Sequence, residues 1–205
     1  MIGGLPHVLL FTQQLVNGLI ELAIALVLPF LWWLCSVRRQ EHFAHWLGFY
    51  RPPAQRSWLT TVIVGLITLL LAIPLPLIIN HGDLATSVFA QRGAAGIPAA
   101  LVYAVLGTSL PEEIFFRGFL LKRLQRRFGF VVANTIQAIG FGAIHGLLFF
   151  RIGNWLVAII ITLAVVVIGY CLGWINERRS GGSIYASWGI HALLNIASSF
   201  ITLFT

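Results

Sequence analysis

Charge is scarce in this sequence. Only 9% of its 205 residues are Asp, Glu, Lys or Arg, against roughly 25% in an ordinary soluble domain. Hydrophobic residues make up 59% of the chain. A soluble core of this size could not hide that much apolar surface, so a water-soluble globule is excluded and the solvent is lipid. Cysteine is nearly missing. Cys35 and Cys171 match no metal or disulfide spacing, which leaves out a disulfide framework and a thiolate zinc site. They read as two small membrane-embedded hydrophobes. A cleavable leader is not evident either: MIGGLPHV lacks a basic n-region, so the first helix is expected to stay as a span. No internal repeat or low-complexity tract is evident.

What the chain does have is long apolar runs. Crossing a hydrocarbon core takes about 20 residues. Ser57–Asn80 and Ile152–Asn176 carry no charge, Phe128–Phe150 holds only His145, and Ser180–Thr205 holds only His191. With segments at 9–36 and 97–121, six spans result. Runs this long without polar alternation argue for helices rather than barrel strands. The expected fold is all-α: a polytopic membrane helical bundle of about six transmembrane helices with a polar intramembrane cavity. It forms a single integral membrane domain over 1–205.

The net charge of +7 raises nucleic acid as a partner, but its distribution points elsewhere. Arg38, Arg39, Arg51 and Arg56 follow the first helix. Lys122, Arg123, Arg126 and Arg127 follow the third, and Arg178 and Arg179 the fifth. The alternate loops hold only Arg92 and Arg151. The positive-inside rule places the basic loops in the cytoplasm and both termini outside. No nucleic acid is implied, and anionic lipid contact is a by-product. FYRPPAQRS and RRSGGS mark loops. Pro29, Pro74 and Pro76 fall inside helical spans and predict kinks.

Ionisable residues inside a span cost about 2.5–3.5 kcal/mol each on insertion scales and point to function. Here they are Glu21, Glu112, Glu113, Arg117, His145 and His191. Glu113 and Arg117 are i and i+4 in the favourable order and share a helix face. Glu112 is turned about 100° away and has no local partner. Burial raises the pKa of such a carboxyl towards the range of a general base. The competing role for Glu112 is a purely structural pair with a distant Arg or His.

The histidines are patterned as well. FGAIH sets Phe141 and His145 four apart, with Gln137 one turn back. Gly140, Gly142, Ala143 and Gly146 around them let another helix approach. HALLN sets His191 and Asn195 four apart. Ser109 and Ser187 sit in no nucleophile context. A Glu with a His can hold and deprotonate a water, while a second His and an Asn donate to an oxyanion. That is a water-attack amide hydrolase. Glu112, His145 and His191 could equally ligate Zn²⁺ with an open fourth position. The spacing is compatible with both.

EExxxR (Glu112, Glu113, Arg117), FxxxH (Phe141, His145) and HxxxN (His191, Asn195), in that order and with GSIYASWGIHALLN around the last, resemble the CAAX prenyl endopeptidase and bacteriocin-processing family of intramembrane proteases (CPBP or Abi proteins). The motif-bearing core runs from about 97 to 198. The resemblance implies an all-helical bundle with a conical cavity. It also implies that Glu112 and His145 activate water, His191 and Asn195 form the oxyanion hole, and Glu113, Arg117 and Phe141 support the site. It further implies an intramembrane endopeptidase acting on a membrane-associated peptide or protein in contact with membrane lipid. No cofactor is required in this reading, zinc being the alternative. The short chain without a large loop fits the bacterial members, so a bacterial inner (cell) membrane is the expected location.

Two features sit apart. If the helices are straight, Glu112 lies about 14 Å, His191 about 10 Å and His145 about 25 Å from the cytoplasmic ends of their spans, depths that do not match. An interfacial amphipathic stretch within LKRLQRRFGFVVAN, with the fourth span starting later and running past RIGN, would reconcile them. The first helix carries a polar stripe, Gln14, Asn17 and Glu21. It reads as interhelical hydrogen bonding or as the polar pathway of a small transporter. A transporter should show broken helices in matching halves, and the polar motifs instead crowd into the last four helices. A non-catalytic relative that only binds partners is disfavoured by the intact Glu112, His145, His191 and Asn195.

Overall fold

In a computed structural model, which describes residues 7–53, 58–74, 84–150 and 155–204, every regular element is helical and no strand occurs among the described residues. Helix α1 is His7–Ser36, α2 Phe43–Leu47 and α3 Trp58–Ala72. Two 3₁₀ turns, Ala85–Phe89 and Gly93–Gly96, lead into α4, residues 97–128. Helix α5 covers residues 130–150, α6 Trp155–Arg179 and α7 Tyr185–Phe204. His7–Ser36, the kinked stretch Gly93–Phe150, Trp155–Arg179 and Tyr185–Phe204 are each long and apolar enough to cross a membrane. Trp58–Ala72 is a shorter apolar helix. The chain is an integral membrane protein with a polytopic helical fold.

The helix-breaking residue between α4 and α5 is Gly129, at φ 76° and ψ 167°, a backbone region open to glycine. The helix does not end near Leu121 but runs on to Phe128 before the chain folds back. Glu112 faces His145 and Phe116 packs edge-to-face on Phe141, pairs placed symmetrically about this bend. The depth mismatch expected from straight spans is thereby removed. No separate interfacial stretch is needed, because residues 122–128 are the protruding end of α4. Residues 151–154, where a longer fourth span would continue, lie outside the described residues, as do Arg56 and Pro76.

The prolines act differently from one another. Helix α1 continues through Pro29. Pro74 does not kink a helix: α3 has already ended at Ala72, since a proline ring crowds the α conformation of the residue before it.

Three basic loops gather at one end. The Lys122 ammonium donates to the Gly182 carbonyl, the Tyr50 hydroxyl to Gly181 (2.8 Å) and the Ser183 hydroxyl to Tyr50 (2.6 Å). Gly182 has φ 88°, and a Cβ there would lie 2.6 Å from the Tyr50 hydroxyl. Arg123 lies over Trp46 at 3.8 Å, and Arg178 over Phe130 and Arg179 over Trp174, both at 4.5 Å. These stems therefore pack on aromatic faces.

Helices α5 and α6 are the closest pair. A Cβ on Gly142 would lie 2.4 Å from Val166, one on Gly146 1.7 Å from Thr162 Oγ1, and one on Gly173 1.9 Å from Asn134 Oδ1. Lipid offers no hydrophobic drive to associate, so packing depends on small residues of this kind. Gly140 takes no part in the seam, since its Cβ would meet only Phe116, at 3.8 Å. Helix α3 covers α6 and α7, with Leu69 and Ala72 against Leu172 and Leu194.

Candidate active site

The site is set by an irregular stretch of α4. Tyr103–Ser109 and Ile114–Leu121 are wide π-helical turns on either side of Leu110–Glu113. Pro111 has no N–H to close the preceding turn, and side chains bond carbonyls in the wide turn before it. Ser109 donates to Ala104 (2.6 Å), and the Trp188 indole on α7 donates to Val105 (3.1 Å). π-turns of this kind recur at functional sites.

Glu113 and Arg117 are both fully buried, and the guanidinium Nη1 is 3.0 Å from Glu113 Oε1. The same carboxylate oxygen takes His191 Nδ1 at 3.1 Å. Arg117 also reaches the Gly169 carbonyl on α6 at 3.4 Å, and Gln137 donates to that carbonyl at 3.0 Å. Gln137 is held by Asn134 Oδ1 at 2.8 Å, and Asn134 in turn donates to Tyr170 (3.0 Å). The Phe141 ring is the hub. Arg117 lies 4.3 Å from its centroid, and the rings of His145 and His191 are 4.6 and 5.7 Å away.

Glu112 stands apart from this neutralised pair. Its side chain is 29% exposed and His145's is 31%, so the two border open space while Glu113 and Arg117 do not. Glu112 Oε2 accepts no hydrogen bond from the protein. It lies 4.0 Å from His145 Nε2 and 3.5 Å from His191 Nε2. Four ångströms is too long for a hydrogen bond, and Oε2 is itself sealed from solvent although the rest of the side chain is not. His145 Nδ1 is 2.8 Å from the Phe141 carbonyl, an acceptor only, so Nδ1 carries a proton and Nε2 is the nitrogen turned towards Glu112.

Asn195, one turn beyond His191 on α7, donates to Thr108 Oγ1 at 2.7 Å, which leaves one amide N–H uncommitted. Both candidate serines are spent: Ser109 donates to Ala104, and Ser187 to the Ile184 carbonyl at 3.1 Å. Among the described residues, no group of three His, Cys, Asp or Glu side chains is disposed to hold a metal ion.

The structure thus brings Glu112, Glu113, Arg117, Phe141, His145 and His191 to one place, with Asn195 a turn away. Thr108, Asn134 and the Gly169 carbonyl escaped sequence reasoning. Thr108 is one turn before Glu112, a spacing that marks it as facing the same space. A backbone carbonyl leaves no sequence signal.

Comparison with known proteins bears on the same segment. Residues 94–197, just over half of the chain, match the family described as type II CAAX prenyl endopeptidase Rce1-like. No curated protein and no solved structure matches the chain.

Proposed function

The chain belongs to the Rce1-like family of type II CAAX prenyl endopeptidases, and on that premise we propose that it cleaves a peptide bond of a membrane-associated peptide or protein by water attack, with Glu112 as the base. The observation that carries this is the contrast between adjacent carboxylates. Glu113 is buried and neutralised by Arg117, whereas Glu112 offers an uncommitted oxygen to two imidazoles.

The water is held by the Glu112 carboxylate together with His145 and attacks the scissile carbonyl carbon. Its proton passes to Glu112 as the carbon–oxygen bond forms. The tetrahedral oxyanion is held by the free N–H of Asn195 and by His191. For that role His191 presents an Nε2 proton to the oxyanion, while Nδ1 is held 3.1 Å from Glu113. Collapse breaks the carbon–nitrogen bond, and Glu112 returns the proton to the leaving amine. Donors placed before the charge develops are the largest source of rate in such reactions. Phe141 and Arg117 hold the two imidazoles and Glu113 in register.

In this reading no cofactor is required, the basic end faces the cytoplasm, both termini lie outside, and the chain resides in a bacterial cell membrane. The test is cleavage of a library of membrane-anchored peptides by the purified protein, with and without a strong zinc chelator. Cleavage that persists in chelator supports the mechanism. Cleavage abolished by chelator and restored by zinc would replace it with the zinc-dependent alternative.

A further inference from the structure

A carboxamide does not hold its own direction. The terminal torsion of an Asn side chain is broad, so its two N–H bonds are aimed only when another group fixes the amide plane. An oxyanion donor must be aimed before the charge develops. On Asn195 the fixing contact is with Thr108, whose Oγ1 lies 2.7 Å from Asn195 Nδ2.

Thr108 differs from other threonines of the bundle. Thr12, Thr135 and Thr162 each donate to the carbonyl four residues back, at 2.7–2.9 Å. Thr108 stands in the wide turn Tyr103–Ser109, and its hydroxyl is directed at a carbonyl five residues back, that of Tyr103, at 3.4 Å. A hydroxyl has one proton and two lone pairs. With its proton turned to Tyr103, Thr108 offers a lone pair to Asn195 and selects the NH₂ end of the amide. One N–H is then spent on Thr108, and the direction of the other is set by it.

The turn that carries Thr108 is itself pinned from two helices. A Cβ on Gly18 would lie 3.1 Å from the Gly107 Cα, so α1 rests against the backbone beside Thr108. Trp188, about two turns before Asn195 on α7, donates to the Val105 carbonyl at 3.1 Å. Within the turn, the buried Ser109 donates to Ala104 at 2.6 Å. Thr108 also precedes Glu112 by four residues on α4, so the anchor of the donor and the base are carried by one element.

We propose that Thr108 is a positioning residue that orients the Asn195 amide towards the oxyanion, and that the wide turn Tyr103–Ser109 serves to place its hydroxyl. The proposal rests on the reading of Asn195 as an oxyanion donor. It is tested by steady-state kinetics on a peptide that the wild type cleaves, with Thr108→Val, Thr108→Ser, Asn195→Ala and the double variant Thr108→Val/Asn195→Ala, each checked for helicity and melting temperature.

Thr108→Val keeps the branched shape and loses the hydroxyl. It should lower kcat at least about tenfold, part of the loss from removing the donor outright, with KM unchanged. Thr108→Ser keeps the hydroxyl and should restore most of the rate. The double variant should be no slower than Asn195→Ala alone, because the anchor then has nothing to hold. A packing role would instead add its loss to that of Asn195→Ala and would leave Thr108→Ser as slow as Thr108→Val; either result overturns the proposal. A slow Asn195→Ala beside a Thr108→Val at the wild-type rate would defeat the positioning role and leave the oxyanion reading standing. Asn195→Ala at the wild-type rate, or a wild type that cleaves nothing, would defeat that reading and the proposal with it.

Discussion

Replacing Glu113 by Gln tests the division of labour between the two carboxylates. The substitution keeps the side chain's volume, so no cavity forms. It removes one negative charge from a site where Glu113 and Arg117 are both 0% exposed and 3.0 Å apart. The guanidinium then stays buried without a counter-ion. Breaking a buried pair from one side typically costs about 3–5 kcal/mol. At about 2–4 °C per kcal/mol for a chain of this size, the melting temperature should fall by on the order of 10 °C. Thermal unfolding in detergent, followed by tryptophan fluorescence, reads it. The double variant Glu113→Gln/Arg117→Met should recover most of the loss, because it removes the orphaned charge, and the cycle isolates the pair's coupling. Glu112→Gln, at a partly exposed carboxylate without an arginine partner, should shift stability within about 0.5 kcal/mol. A Glu113→Gln protein as stable as wild type, or a double variant worse than the single, would refute the reasoning.

Three further outcomes follow from named contacts. Asn195→Ala should lower kcat by about 10²–10³ with little change in KM, the signature of a lost oxyanion donor; steady-state kinetics on one cleaved peptide decide it. Gly173→Ala should cost about 1–3 kcal/mol, because its Cβ would fall 1.9 Å from Asn134 Oδ1; chemical unfolding measures this, and a neutral result would mean that α5 and α6 separate freely. Cysteines placed at Arg39, Arg126 and Arg178 should all be labelled from the cytoplasmic side of oriented vesicles; labelling of any one from outside would reverse the topology.

Much of the bundle was legible because its signals are local. Uncharged runs mark spans, and the i, i+4 spacing of Glu113 with Arg117 marks a shared face that the 3.0 Å pair occupies. Gly142 and Gly146, read as small residues that admit a neighbour, do admit α6. What stayed hidden depends on tertiary geometry. Straight spans put Glu112 and His145 at different depths, because nothing before Gly129 says that α4 continues to Phe128. The π-turns around Pro111 depend on partners from α7, such as Trp188, which no local pattern contains. The bond from His191 to Glu113 crosses between helices far apart in sequence, and so does the one from Asn195 to Thr108.

The central claim is that Glu112 takes the proton of the attacking water. Its most direct measurement is kcat of Glu112→Gln beside wild type, on a peptide that the wild type cleaves, with circular dichroism and melting temperature recorded on both. Loss of a positioned general base costs about 10²–10⁴ in rate. The account predicts a fall of that size in a protein that keeps its helicity and its melting temperature. Cleavage by Glu112→Gln at the wild-type rate would contradict it.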